Sequence, residues 1–438
     1  MREKLASRLG FLMLAAGSAV GLGNVWRFPY VVGENGGAAF ILVYLAFLAV
    51  LGAPLLAVEF SIGRASGKSR AAALGELAPA QHAKKWKLIG GAIASGCFIL
   101  MIYYTDIAGW LLKYTFDYAI SSPPQNPVLA FANLLADWRT CTAFMLLTVV
   151  LSTAVCMLGV VKGIERATKW LMLSLLAILA ILAARSLLLP GAAEGLSFYL
   201  KPNWGKFMAH PLKSVFDAMG QAFFTLSLGI GSMTICASYI DENHSLVKES
   251  FVIIVIDTLV ALVSGLVIFP ACATYGVDYT SGPGLIFVAL PKVFAAMPGG
   301  SIWSVCFFLF LAMAALTTVI AVFECIIAGL MDTLKISRPL ASIITGVAVA
   351  ALAMPCILWE GVLAWEDFAV SQLWLPVGAL VQCFFVVNGT YGWGWESFRL
   401  HVSRGKGWDM PKFLRIHYTF AIPLLILAVL ITGIVQKF

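Results

Sequence analysis

The sequence predicts an all-α integral membrane protein of about eleven transmembrane helices. Three observations carry this. Of its 438 residues, 61% are hydrophobic and only 12% are charged, whereas a soluble domain carries roughly 25% charged residues. Long apolar runs recur along the whole chain, and Lys and Arg are confined to short segments between them. A chain so poor in charge cannot cover its surface with polar groups, so lipid must be its solvent.

The apolar runs fall near 11–32, 38–62, 88–119, 140–160, 166–189, 213–239, 250–275, 301–330, 339–358, 365–393 and 414–435. Each can cross a hydrocarbon core of about 30 Å, which takes ~20 helical residues. Helices are expected because a lipid-exposed backbone must satisfy its own hydrogen bonds. The N-terminal stretch resembles a signal peptide, but the polar and glycine-rich residues that follow it form a dense motif, so retention is expected.

Basic residues set the orientation. Arg2, Lys4 and Arg8, then Arg64 to Lys87, Lys162 to Lys169, Lys248, Lys335 and Arg338, and Arg399 to Arg415 fall on one side. The other side has loops such as SSPPQNP (121–127) and PNWG (202–205). The basic side reads as cytoplasmic, with the N-terminus inside and the C-terminus outside a cell membrane. The net charge of +7 is therefore a topology signal, and no nucleic-acid partner is expected. Trp26, Tyr30, Trp110, Trp303, Trp359 and Trp365 lie near expected helix ends and read as an interfacial aromatic belt. The nine cysteines are scattered, mostly within apolar runs, with no CxxC pair, and the five histidines show no metal spacing. Neither disulfides nor a zinc site is expected.

Two runs are interrupted by glycine. In AGSAVGLGNVWRFPY (16–30), Gly17, Gly21 and Gly23 accompany Ser18 and Asn24. In GQAFFTLSLGIGS (220–232), Gly229 and Gly231 accompany Thr225 and Ser227. Close packing is one reading, since Gly17 and Gly21 form GxxxG. Packing does not require Asn24, Thr225 and Ser227, which favours unwinding at mid-membrane, where freed carbonyls face cations and half-helix N-termini face an anion. The breaks open the first and sixth runs, suggesting two five-helix inverted repeats at 7–190 and 210–400, an additional helix at 408–438, and one domain over 1–438. Asp257 lies in the middle of FVIIVIDTLVALVSGLVIF (251–269), a span without Lys or Arg. A carboxylate there is unfavourable by roughly 3 kcal/mol, and a bound Na⁺ is the economical partner. A structural Asp bonded to a neighbouring helix is the alternative.

AGSAVGLGNVWRFPY followed by ENGGAAF (34–40), with YY (103–104), FFTLSLGIG (223–231), ALTT (315–318) and DFAVSQ (367–372), resembles the neurotransmitter:sodium symporter family over nearly the whole chain. Ending after the eleventh run resembles its bacterial members. The broken-helix rule is drawn partly from this family and gives no independent support. The resemblance implies alternating-access symport of an α-amino acid with Na⁺, two ions by the family pattern, as cargo and sole cofactor.

It further implies a first Na⁺ site of Ala19, Asn24, Thr225 and Asp257, and a second of Gly17, Val20, Ala314, Thr317 and Thr318. Gly, Ala and Val serve only through carbonyl oxygen, which suits a hard cation. Thr317 and Thr318 could instead bond their own preceding turn. The implied substrate pocket comprises Ser18, Ala19, Gly21, Leu22, Gly23, Leu100, Tyr104, Phe224, Thr225, Ser227, Ile230, Thr318 and Val322. Its mostly apolar lining suits a neutral, hydrophobic substrate, and Gly21 leaves room for a carboxylate where monoamine carriers place an Asp. Tyr104 could donate to that carboxylate or be a packing residue. Arg27 with Asp367 would close the outside. Arg2 with Asp332, near Ser238 and Tyr239, would close the inside, unless these are solvated loop charges. Glu59 and Glu324 would brace the unwound backbone. Asp257, with Ala261 one turn on, implies chloride independence, because a fixed carboxylate repels an anion.

A channel would favour repeated filter sequences and a continuous polar lining, and an enzyme would need a nucleophile or acid–base cluster. Neither pattern is present. A proton-coupled carrier using Asp257 stays open. No required protein partner is evident beyond the bilayer.

Overall fold

The computed structural model describes residues 3–278 and 284–437. Among these, nine helices are long and apolar enough to cross a membrane: Ala38–Ser66, Ala83–Ile120, Trp138–Met157, Val160–Leu187, Leu246–Thr274, Gly300–Leu334, Arg338–Leu358, Val362–Val387 and Leu414–Val435. Arg8–Ala19 and Gly23–Glu34 form a tenth candidate, bent by 55° at its break. The sixth apolar run yields two helices, Pro211–Thr225 and Ser232–Ala237, separated by residues 226–231. Each is too short to span alone, so about eleven spans are reached only by counting this broken segment as one.

The helix ends have local causes. Ser7 opens the first helix by accepting the Gly10 N–H at 3.0 Å, and Asp137 opens Trp138–Met157 by accepting that of Thr140. Each satisfies a donor the first turn leaves free. Gly67 closes Ala53–Ser66 in the left-handed region at φ 60°, where a side chain would be strained. The loops also contain helices that hydropathy did not announce, including Arg70–Leu77, Pro127–Ala136 and Ala192–Leu200.

Gly300–Leu334 is the central element, with 72% of its apolar window buried, against 28% for Leu414–Val435. The outward face of the latter exposes Phe420, Leu424 and Ile431, as a lipid-facing surface should. Trp359 and Trp365 are exposed near helix ends. Trp110 is a correction to the aromatic belt: it lies within Ala83–Ile120 and is buried edge-on against Phe131 and Phe287 at 5.8 and 5.9 Å. All nine cysteines are free thiols.

Candidate functional site

Both helix breaks occur where the backbone leaves helical geometry. In the first, Val20 turns extended (φ −69°, ψ 105°). The Gly21 N–H then bonds Asn24 Oδ1 at 3.0 Å, and the Leu22 N–H reaches the Tyr104 hydroxyl at 3.4 Å. In the second, Ser227, Gly229 and Gly231 take φ of 48°, 108° and 96°. Any Cβ on Gly229 would collide with the Leu375 carbonyl, so glycine is required there both sterically and conformationally. Buried Glu59 accepts the freed Gly229 N–H at 2.6 Å and the Thr234 hydroxyl at 3.4 Å, the bracing role the sequence suggested.

Asp257 joins the breaks. Its fully buried carboxylate accepts from Asn24 Nδ2 at 2.8 Å on one oxygen and from Thr225 Oγ1 at 3.0 Å on the other. Asn24 also donates to the Asp257 carbonyl at 3.0 Å. Three of the four expected first-site residues therefore meet directly, and the fourth, Ala19, ends the first helix beside them. No Lys or Arg pairs with Asp257 among the described residues.

The second expected site also assembles. Thr318 Oγ1 lies 3.2 Å from the Gly17 carbonyl oxygen, 3.4 Å from that of Val20 and 3.2 Å from that of Ala314. Thr317 Oγ1 donates to Ala314 at 2.8 Å. Both threonines bond their own preceding turn, and Thr318 also reaches the break. The donors are all oxygen, as a hard cation needs. Among the described residues, no cluster of His, Cys, Asp and Glu could hold a metal ion.

Between the breaks lies a cavity of about 30 Å³, the space of roughly one water molecule. Ser18, Ala19, Gly21, Leu22, Gly23, Leu100, Tyr104, Phe224, Thr225, Ser227 and Thr318 line it, with Val370 and Leu375. Ile230 and Val322, though buried, do not line it. The flanking positive-φ glycines direct Ile230 toward Gly96 and Trp374. Sequence reasoning missed Val370 and Leu375, although Val370 lies inside the DFAVSQ string.

At the expected outer gate, Arg27 and Asp367 make no direct ion pair. The Asp367 carboxylate accepts from the Tyr103 hydroxyl at 3.0 Å, and the Arg27 guanidinium lies over the Phe224 ring, 4.8 Å from its centroid. Of the expected inner gate, Arg2 lies outside the described residues. Asp332 accepts the Ser69 N–H at 2.7 Å, and Ser238 Oγ donates to the Ile235 carbonyl at 2.7 Å. The N-terminal segment docks here: Leu5 N–H on the Tyr239 carbonyl at 3.2 Å, Ala6 N–H on Glu165 at 2.8 Å, and Arg8 on buried Glu249. Glu324 is a correction. It braces no unwound backbone; it takes Arg338 bidentately at 2.7 and 2.8 Å and accepts the Tyr239 hydroxyl.

The family model for the sodium:neurotransmitter symporter family matches residues 2–123 and 125–438. The chain belongs to this family. The symporter is 36% identical over 396 residues to an uncharacterized sodium-dependent transporter, YhdH, of Bacillus subtilis, covering 87% of this chain and 86% of the relative. It is 28% identical to the sodium-dependent serotonin transporter of Drosophila melanogaster, over 99% of this chain and 76% of that one. The crystal structure of MhsT in complex with L-phenylalanine matches with a TM-score of 0.87 at 35% identity, covering 99% of this chain and all of that one. The symporter is thus a sodium-dependent membrane transporter and not an enzyme.

Proposed function

We propose that the chain carries a neutral, apolar α-amino acid into the cell with Na⁺, by alternating access and without chloride. The observation that carries this reading is the cavity lining: no Asp, Glu, Lys, Arg or His contributes to it. A zwitterion can place its carboxylate and ammonium against the open backbone groups of the two breaks and the Tyr104 hydroxyl. A monoamine would find no counter-charge, and a dicarboxylic amino acid would bury an unpaired one, which is strongly unfavourable. Leu22, Leu100, Phe224, Val370 and Leu375 suit an apolar side chain. The L-phenylalanine bound by MhsT is in keeping with this.

Two Na⁺ ions are assigned to the sites around Asp257 and Thr318. With the substrate carboxylate completing the first, Na⁺ and amino acid bind in mutual dependence. Asp257 supplies fixed negative charge there, and Ala261, buried one turn on, has no hydroxyl for an anion. Chloride then has neither room in the charge balance nor a ligand. The space between the breaks is too small for an amino acid unless lining groups move, and Asp367 and Asp332 are assigned to the gates that open. The two broken segments are assigned as the opening helices of two inverted repeats, and the basic side as cytoplasmic.

Competition binding tests the specificity. Purified protein is equilibrated with a radiolabelled apolar amino acid in Na⁺, and unlabelled competitors are added. Leucine- and phenylalanine-type amino acids should displace the label, while glutamate and dopamine-like amines should not. Strong displacement by a monoamine would overturn the role of the uncharged lining.

A further inference from the structure

Behind the second break lies a sulfur cluster that the transport chemistry does not use. Cys97, in Ala83–Ile120, and Cys325, in Gly300–Leu334, place their Sγ atoms 3.4 Å apart. Cys97 Sγ is 3.5 Å from the Ile230 carbonyl oxygen, and Cys325 Sγ is 3.5 Å from that of Gly231. The two thiols donate to two successive carbonyls of the unwound segment, and the Gly231 carbonyl also accepts the Ile235 N–H at 3.2 Å. Against them packs Arg70, fully buried, its side-chain stem beneath Gly231. None of its three side-chain nitrogens has a hydrogen-bond partner. Glu59, Cys325, Cys97 and Cys383 are the ionisable groups whose fields reach it. Burial by itself makes a thiol inert, and the unpartnered Arg70 charge is the local feature that works against this.

We propose that Cys97 and Cys325 are an oxidisable pair, closed to a disulfide by hydrogen peroxide, that arrests the second break and with it the transport cycle. One thiol releases its proton to water and, as thiolate, attacks a peroxide oxygen. An S–O bond forms, the O–O bond breaks, and the departing hydroxide takes up that proton to leave as water. The second sulfur then attacks the sulfenic acid. The S–S bond forms, the S–O bond breaks, and the second thiol's proton leaves with the hydroxyl as another water. The two sulfurs lose two electrons in all, and the peroxide gains them.

Closing from 3.4 Å to a bond of ~2.05 Å requires the sulfurs to approach by about 1.4 Å. The disulfide has no S–H, so the Ile230 carbonyl loses its thiol donor and the Gly231 carbonyl keeps only the Ile235 N–H at 3.2 Å, while Ala83–Ile120 and Gly300–Leu334 become covalently tied. Both thiols are buried here. Peroxide reaches them when the segment 226–231 moves, so access rests on the transport reading above.

The full-length protein is treated with hydrogen peroxide, unfolded, alkylated with a maleimide and weighed intact, with peptide mapping of any bridge. In parallel, treated and untreated protein are assayed for Na⁺-driven uptake in proteoliposomes. Two of the nine thiols should escape alkylation and map to Cys97 and Cys325. Uptake should fall to the Na⁺-free level, and dithiothreitol should restore both. Cys97→Ser and Cys325→Ser should transport in peroxide, and Arg70→Gln should bridge more slowly. Nine alkylated thiols after treatment, or a bridge with undiminished uptake, would overturn the proposal. Untreated protein that does not transport would instead refute the transport reading, and the thiol count would still decide the pair.

Discussion

Replacing Gly21 by alanine probes the point where both expected sites meet. A Cβ built there would lie 2.8 Å from the Tyr104 hydroxyl and 3.0 Å from Thr318 Oγ1. Both are too close for carbon against oxygen, so both hydroxyls must shift. The Tyr104 hydroxyl holds the Leu22 N–H, and Thr318 holds the Gly17 and Val20 carbonyls. Losing two such bonds amounts to about 1–3 kcal/mol, which is about 5- to 150-fold in affinity at ~1.4 kcal/mol per decade. Scintillation proximity with a labelled apolar amino acid, titrated with Na⁺, should show substrate and Na⁺ affinity falling together. Thermal unfolding in detergent should change little by comparison. Unchanged affinity for both ligands would refute the reasoning that Gly21 is small because Tyr104 and Thr318 crowd it for binding.

Two further expectations concern buried polar groups. Asn24→Ala removes the donor to Asp257 and the acceptor for Gly21. It should weaken Na⁺ more than Asn24→Asp does, read as the Na⁺ concentration for half-maximal substrate binding, and equal effects would count against Asn24 as a Na⁺ ligand. Arg338→Ala leaves Glu324, only 1% exposed, without its cation. A loss of about 3–5 kcal/mol is expected, seen as a lower unfolding midpoint, and a midpoint matching the wild type would show that the pair contributes nothing.

Much of the architecture was legible because lipid imposes length and apolarity on every span, and these survive in composition. The first break was legible for the opposite reason: Gly17, Gly21 and Gly23 beside Asn24 violate what a lipid-exposed helix wants. Asp257 stands out on the same ground, while Asn24 and Thr225 beside it are what the family resemblance implies. What was not legible depends on direction and on distant partners. Ile230 has the composition of a pocket residue, but the positive φ of Gly229 and Gly231 aims it away, and no sequence period reports that angle. Glu324 looked like a brace because a carboxylate in a span needs a donor. Its donor, Arg338, stands on the next helix, where hydropathy marks only a loop charge. The family resemblance pairs Arg27 with Asp367, and the structure gives each an aromatic partner, Phe224 and Tyr103. The short helices between spans escaped because their apolar content is below spanning length.

Proteoliposome uptake tests Na⁺-driven, chloride-independent carriage of an apolar amino acid. Protein is reconstituted with an inward Na⁺ gradient, with choline replacing Na⁺ in one arm and gluconate replacing Cl⁻ in another, and a valinomycin-set potential is applied. With a zwitterionic substrate, each Na⁺ carries one net charge, worth about 2.3 kcal/mol per 100 mV. An inside-negative potential should therefore raise accumulation. Uptake should vanish in choline and persist in gluconate. Uptake that survives without Na⁺, or stops without Cl⁻, would contradict the account.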